Sequence, residues 1–244
     1  TRVFSIMAYV KSAARKDFEN IYNILLEQTV FASKQKQLRA DIVQCVYNNA
    51  IFRLSAAFED YIKDIFEDWI DMLEKHDGCL SDLPGESVSY ALLKHHENLF
   101  LQFLLNGAEG KIINEIATKK NLTKKLCLED SPVKDLIKAN QLVMDKKYPS
   151  QRNLKQLFNR FGFKDIFKDM AVKGRKDYKL LLQSFSDSRT ELAHSYSSMP
   201  MTKETVKDNI NNVYEIVRII DRVLYSHVCN KSGSRYWKVA SLAL

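Results

Sequence analysis

Apolar residues recur at steps of three and four along most of this chain, the spacing of helices with one buried face. Over residues 4–28 the stripe runs Phe4, Met7, Val10, Ala14, Phe18, Ile21 and Leu25. Residues 38–76 carry the longest run. Ile42, Cys45, Val46, Asn49, Phe52, Ala56, Tyr61, Ile65, Trp69 and Met72 fall at helical steps, with no proline or glycine before Gly78. At about 1.5 Å per residue, a helix of about 38 residues spans roughly 57 Å. Gly78 and residues 81–85 mark a loop, and 86–106 reads as a helix that ends near Gly107 and Gly110. Several shorter helices are expected between 111 and 170, interrupted at Ser131-Pro132, Tyr148-Pro149-Ser150 and Gly162. A helix over 175–186 is followed by a polar break, a second short helix and a turn over Ser195–Pro200. Thr202 is placed to cap a last long helix, 203–229, with Ile210, Val213, Tyr214, Val217, Ile220, Val223 and Leu224 on one face. The tail from 231 is broken by Gly and Ser, then apolar over Trp237–Leu244, suited to dock on the body or on a partner.

No alternation of Val, Ile and Thr asks for a sheet, and there is no internal repeat or low-complexity tract. Composition points the same way. The chain has only seven glycines and four prolines in 244 residues, against an average usage of roughly 12%, so long helices with few loops are favoured over a sandwich or barrel. With 45% apolar residues, a core can close and disorder is excluded. The predicted fold is all-α: one domain over 1–244, a bundle of long antiparallel helices with a basic helical insertion over 80–175. No apolar run reaches the roughly 18 residues of a membrane span; the longest, Leu99–Leu105, is broken by Gln102. Thr1-Arg2-Val3-Phe4 has neither a leader's apolar core nor an initiator methionine, so Thr1 is expected to mark an artificial boundary.

The four cysteines, Cys45, Cys79, Cys127 and Cys229, are far apart and show no CxxC spacing. They read as reduced, partly buried thiols of a cytoplasmic protein rather than as a disulfide frame or zinc site. His76 and Cys79 make half of a metal pair with no second half, and no metal or other cofactor is expected.

Charge is uneven. Residues 1–118 hold 12 Lys/Arg against 17 Asp/Glu, residues 119–179 hold 17 against 7, and residues 180–244 hold 8 against 6. The overall +7 therefore resides in the central stretch, with Lys119-Lys120, Lys124-Lys125, Lys146-Lys147, Arg152, Arg160, Arg175 and Lys176. Tyr148, Phe158, Phe161, Phe163, Phe167 and Tyr178 are interleaved with them. Positive charge beside stackable rings suits a polyanion such as single-stranded RNA. The competing reading makes the rings core residues and the lysines a solvated face. Lys124, Lys125, Lys146, Lys147, Arg152, Arg175 and Lys176 are the candidate RNA-binding residues.

Most enzyme patterns fail. Gly107-Ala-Glu-Gly110-Lys111 is too short for a phosphate loop, and Ile112 stands where Ser or Thr is needed. In His95-His96-Glu97 neighbouring residues fall on different helical faces, a poor metal site. GxSxG and HExxH are absent.

Residues 187–196, Asp-Ser-Arg-Thr-Glu-Leu-Ala-His-Ser-Tyr, are different. Ser188 and Glu191 form an S-x-x-E capping box, which predicts a helix starting at Arg189. That start would set Arg189 among free backbone N–H groups at the positive helix end, a place that attracts phosphate. His194 follows, a side chain suited to proton transfer, and then Tyr196. Arg189 and His194 lie about 140° apart on a regular helix. They converge only through the length of the arginine or through a bend near Ser195. By spacing alone, the alternative is that Arg189 pairs with Asp187 or Glu191 while His194 fills a core gap.

Arg189-Thr-Glu-Leu-Ala-His194-Ser-Tyr196 resembles the R-x4-H-x-Y motif of the HEPN superfamily, and Asn48–Lys63 resembles the opening long helix of its RiboL-PSP branch. The likeness covers roughly 40–75 and 178–228 and leaves 80–175 unmatched. It implies a metal-independent endoribonuclease of the toxin–antitoxin or phage-defence kind. Such cleavage needs a base for the 2′-OH, an acid for the 5′-oxygen and positive charge on the phosphorane. One chain offers one His and one Arg, so the resemblance implies a homodimer that joins two motifs in one cleft. His194 would move protons, Arg189 would stabilise charge, and Thr190 and Tyr196 would orient a single-stranded RNA or tRNA. Thr190 stands where active members most often carry Asn, Asp or His. This departure leaves a second implication, a non-catalytic module for dimerisation or for binding a nucleotide or partner. The resemblance further implies an antitoxin partner, or a nucleotidyltransferase that adenylylates Tyr196.

Overall fold

The structure, a computed structural model, describes residues 8–107, 109–134, 136–143, 148–194 and 200–239. Among these residues it is all-α. The three longest helices that pack on one another are α1 (Ala13–Lys34), α2 (Ala40–Lys75) and α10 (Lys203–Lys231). Between α2 and α10 come α3 (Gly85–Asn106), α4 (Glu109–Thr118), α5 (Lys120–Leu126), α6 (Ala139–Val143), α7 (Gln151–Arg160), α8 (Ile166–Gly174) and α9 (Tyr178–His194). Two isolated bridges, Ser12 with Val239 and Cys79 with Pro132, are the extended pairings among the described residues.

The stripe predicted over 38–76 becomes the 36-residue α2, about 54 Å long. Leu54, Phe58, Tyr61, Ile65, Trp69 and Leu73 are buried along it. Helix α10 answers with Ile210, Val213, Val217, Ile220, Leu224 and Val228, and Thr202 caps it by accepting the Thr205 N–H at 3.1 Å. The first helix departs from its predicted 4–28. It starts at Ala13 because the Ser12 hydroxyl caps it, accepting the Arg15 N–H at 3.0 Å. It runs on to Lys34 because Leu25, Thr29 and Ala32 extend the buried stripe. Residues 1–7 lie outside the described residues.

The central helices share this core rather than forming a separate one. Phe161 stacks on Phe66 of α2, with ring centroids 4.0 Å apart, and Phe158 meets the same ring edge-on. Gly162 turns the chain back at φ 84°, and a Cβ there would lie 3.0 Å from the Pro84 side chain. Five of the six interleaved aromatics, Phe158, Phe161, Phe163, Phe167 and Tyr178, are buried. The core reading is therefore correct for these five, and they offer no stacking surface to RNA. Cys79 and Cys229 are partly buried as expected, whereas Cys45 and Cys127 are exposed; all four are free. No described helix is long and apolar enough to cross a membrane.

The three long helices are joined at a buried carboxylate. Asp221 of α10 is fully buried and accepts hydrogen bonds from the hydroxyls of Tyr9 and Ser12 and, at 3.3 Å, from the Ser12 N–H. Burial holds its carboxyl above the usual carboxylate range, despite these bonds and the nearby Arg15. The docked tail closes over the same corner: Trp237 is buried and its indole donates to the Val10 carbonyl at 2.9 Å.

Removing the carboxylate strands the donors of Tyr9 and Ser12 and takes the acceptor from the Tyr61 hydroxyl of α2, 3.5 Å away. Asp221→Ala is expected to lower unfolding free energy in urea by roughly 2–5 kcal/mol, and Asp221→Asn by less, since an amide keeps one acceptor. The folded state binds its proton more tightly than the unfolded chain. The wild type should therefore lose stability relative to Asp221→Asn as pH rises from about 4 through the raised carboxyl range, in urea melts at stepped pH.

Candidate functional site

Helix α9 carries the motif, and it is one uninterrupted helix. Asp177 opens it by accepting the Leu180 N–H at 3.0 Å. The predicted break at 187–188 and the helix start at Arg189 are both corrected. Ser188 does not cap; its hydroxyl donates to the Ser184 carbonyl at 3.0 Å, and Gln183 donates to Asp187 at 2.7 Å. A serine whose hydroxyl is satisfied by the preceding turn can sit inside a helix. The inward stripe, Tyr178, Leu182 and Phe185 buried with Leu192 packed on the core, continues through the polar segment. Arg189 therefore has its own N–H in a helix interior, and the expected phosphate site at a helix N-terminus does not exist there.

The side chains divide between two faces. Arg189 continues the inward stripe and is half-buried. Its guanidinium carbon lies 5.1 Å from the centroid of the Tyr148 ring, in cation–π range, and its Nε is buried without a hydrogen-bond partner. Among the described residues it makes no ion pair with Asp187 or Glu191. Thr190 and His194 are both exposed. Four residues apart, they share one face. His194 is the last residue of α9 and fills no core gap. Helical geometry up to His194 keeps it about 140° from Arg189. Tyr196 lies outside the described residues.

Beyond the motif the chain is held again by α2. The Gln44 side-chain amide donates to the Met201 carbonyl and accepts the Met201 N–H, both at 2.9 Å. At its other end α9 is tied to α7, where Gln151 donates to the Lys179 carbonyl at 3.1 Å and to the Gln183 side chain at 2.8 Å. Neither tether was anticipated, because single glutamines carry no spacing signal. The Tyr148–Arg189 pairing was also missed; its only trace in sequence is an aromatic residue within a basic segment.

The basic candidates sit in two neighbourhoods. Lys124 and Lys125 are exposed on α5, which packs with α3 and α4. Arg152 is exposed on α7, and Arg175 and Lys176 are exposed at the α8–α9 junction, beside the helix of the motif. Lys176 lies 3.6 Å from Glu215 of α10. Lys146 and Lys147 lie outside the described residues. His95 and His96 are neighbours on α3 with ring centroids 4.8 Å apart. Among the described residues, no group of three or more His, Cys, Asp or Glu side chains is gathered as metal ligands.

The RiboL-PSP-HEPN family model matches residues 12–226, with the central region inside the match. No curated protein and no solved structure matches the chain. A match over most of the sequence, on long packed helices with the motif-bearing helix among them, settles the kinship: the chain belongs to the RiboL-PSP-HEPN family.

Proposed function

We propose that this protein is a metal-independent endoribonuclease of the toxin or phage-defence type. It would act in the cytoplasm on single-stranded RNA or tRNA as a homodimer. The observation that carries the reading is the placement of R-x4-H on α9 of a RiboL-PSP-HEPN chain, with His194 exposed at the helix end.

One chain presents a single imidazole outward and a single guanidinium inward, so a complete acid–base pair requires a second copy. Apolar side chains are exposed at the end of the bundle that the chain reaches after the motif. Phe31 at the end of α1 is 63% exposed and Ile42 at the start of α2 is 43% exposed, on the end of the bundle where Gln44 holds Met201. Apolar side chains left in water at such a place favour self-association. In the reaction, the 2′-oxygen loses its proton and bonds to phosphorus, the bond from phosphorus to the 5′-oxygen breaks, and that oxygen takes a proton. The products are a 2′,3′-cyclic phosphate and a 5′-hydroxyl. The two His194 imidazoles serve proton transfer, Arg189 stabilises the phosphorane charge, and Thr190 and Tyr196 orient the strand. Lys124, Lys125, Lys146, Lys147, Arg152, Arg175 and Lys176 gather the RNA backbone. An antitoxin, or a nucleotidyltransferase acting on Tyr196, is the partner that such a toxin would need.

His194→Ala and Arg189→Ala should each lower cleavage of a single-stranded or tRNA substrate by about a hundredfold or more, with helical circular dichroism unchanged. Wild-type activity should survive EDTA. Cleavage lost to chelator and restored by Mg²⁺ would overturn the mechanism, and a folded protein inert on every RNA would leave the non-catalytic module.

Tyr148 positions Arg189 with the face of its ring, and its buried hydroxyl has no partner. Tyr148→Phe should therefore keep activity, whereas Tyr148→Ala should lower it by roughly tenfold. Replacing Lys124, Lys125, Lys146 and Lys147 together should weaken RNA binding and flatten the plot of log K against log salt, by up to roughly 0.7 for each phosphate that is no longer neutralised. An unchanged slope would make those lysines a solvated face only.

A further inference from the structure

The hairpin of α3 and α4 carries an apolar surface that the bundle leaves in water. The first half of α3 is anchored: Ala91 is buried, and the buried Ser87 donates to the Arg160 carbonyl at 2.7 Å. Its second half is not, for none of the described side chains from His95 to Leu105 is buried. Phe100, Leu101, Phe103, Leu104 and Leu105 are all exposed, Leu104 to 77% and Leu105 to 80%. At about 100° per residue they occupy an arc of roughly 200°, about twice the width of the stripe that a surface helix ordinarily buries. Gly107, in the left-handed region at φ 58°, ends α3 with its N–H donating to the Phe103 carbonyl at 2.9 Å, and the chain turns into α4. Ile112 of α4 is buried, whereas Ile113 beside it is exposed and adds to the apolar surface of the hairpin. Helix α5 braces the pair: both helices pack on it, and its Thr123 hydroxyl lies 3.2 Å from His96 Nε2.

A single exposed leucine needs no explanation; five large apolar side chains within two turns of one helix do. The charge beside them narrows the occupant. Residues 100–125 hold five lysines, Lys111, Lys119, Lys120, Lys124 and Lys125, against Glu109 and Glu115. Lys119 is half-buried and the other four are exposed. A second copy of the hairpin would bring lysines against lysines. Protein interfaces are depleted of lysine, and a flat partner surface covers one stripe of a helix rather than so wide an arc. A nucleic acid meets the lysines and leaves the leucines in water. An anionic bilayer answers both features, since its headgroup phosphates attract the lysines and its acyl boundary takes apolar side chains around most of the helix. We infer that the α3–α4 hairpin docks this protein on an anionic lipid surface. Phe100, Leu101, Phe103, Leu104 and Leu105 enter by about 5–10 Å. The lysine stems lie along apolar surface while their ammonium groups stay at the phosphates. The hairpin rests in the interface and does not cross, because its apolar run is far short of the roughly 18 residues of a span. The docking uses neither Arg189 nor His194, so it stands apart from the nuclease reading.

The test floats the whole chain with unilamellar vesicles, made of phosphatidylcholine alone or of equal parts phosphatidylcholine and phosphatidylglycerol. The wild type should float with the anionic vesicles and bind the neutral ones about tenfold more weakly or worse. Leu104 and Leu105 are the most exposed of the five apolar side chains. The double variant Leu104→Gln with Leu105→Gln should therefore keep the melting temperature and the RNA cleavage of the wild type, yet bind anionic vesicles about a hundredfold more weakly. Lys111→Gln with Lys120→Gln should weaken the same binding by roughly tenfold, and added salt should erase that difference. Flotation reads out without RNA, so it is separable from any result on cleavage. The inference is overturned if the wild type stays off the anionic vesicles. It is overturned equally if the leucine variant floats as well as the wild type, which would leave lysine attraction alone. A wild type that ignores vesicles but forms an oligomer dissolved by the leucine variant, in sedimentation velocity, would also overturn it and make the patch a contact between copies.

Discussion

A carboxylate taken wholly out of water is tolerated only where donors surround it, and Asp221 is the point at which this chain meets that demand. The donors come from Tyr9 and Ser12, while the Tyr61 hydroxyl of α2 stands 3.5 Å away. The same groups are used more than once. Ser12 donates to the carboxylate while accepting the N–H that starts α1, and Tyr9 donates to it while accepting from Arg15 at 2.7 Å. Arg15 is held in turn by Glu19 at 3.0 Å. The segment from Ala8 to Ser12 is thus gripped from α10 and from the tail. Its backbone completes the arrangement, with the Tyr225 hydroxyl donating to the Ala8 carbonyl and the Ala13 N–H donating to the Lys238 carbonyl.

Helix α9 is seated on α2 and α10. Its buried Tyr178, Leu182 and Phe185 lie on the face that packs against the long helices. Gln151 fixes the N-terminal half and Gln44 fixes the chain just after the motif. The consequence for the site is directional. Whatever extends the inward stripe turns toward the body, and whatever lies off it faces water. Arg189 falls in the first class, Thr190 and His194 in the second. The separation of guanidinium from imidazole within one chain is therefore a property of the helix, not of a particular rotamer.

Long periodic stripes were legible from sequence because burial writes them directly: α2, α3 and α10 begin and end close to where their apolar spacing and caps place them. The motif helix was misread for an equally physical reason. Asp187 and Ser188 look like a break and a cap, yet three- and four-residue steps from Phe185 to Leu192 cross them undisturbed. Local capping chemistry lost to tertiary burial. The aromatic residues of the basic region were ambiguous in principle, since a phenylalanine has the same spacing whether it stacks on a base or on Phe66. What no pattern could reveal is pairing at long range. Asp221 with Tyr9, Gln44 with Met201 and Tyr148 with Arg189 are each isolated residues brought together only by the folded chain. The fold was therefore largely readable, and the site was readable as a motif but not as a geometry.

Stability alone does not explain Arg189. At its position, one turn beyond Phe185 on the inward stripe, a leucine would bury apolar surface and leave nothing unpaired. The arginine instead brings a charge against the Tyr148 ring and leaves Nε buried without a partner. Such a group is under-satisfied in the isolated chain, and an anion has the chemistry to complete it, since a guanidinium presents its donors in a planar fork matched to phosphate oxygens. A lysine there would be a mobile point charge without the planar fork. The cost of holding an arginine half-buried becomes intelligible if the missing partner is a phosphate delivered to the face of α9. Under the proposed function, the ring of Tyr148, 5.1 Å from the guanidinium, would keep the fork oriented before a phosphate arrives and leave little ordering to the moment of binding.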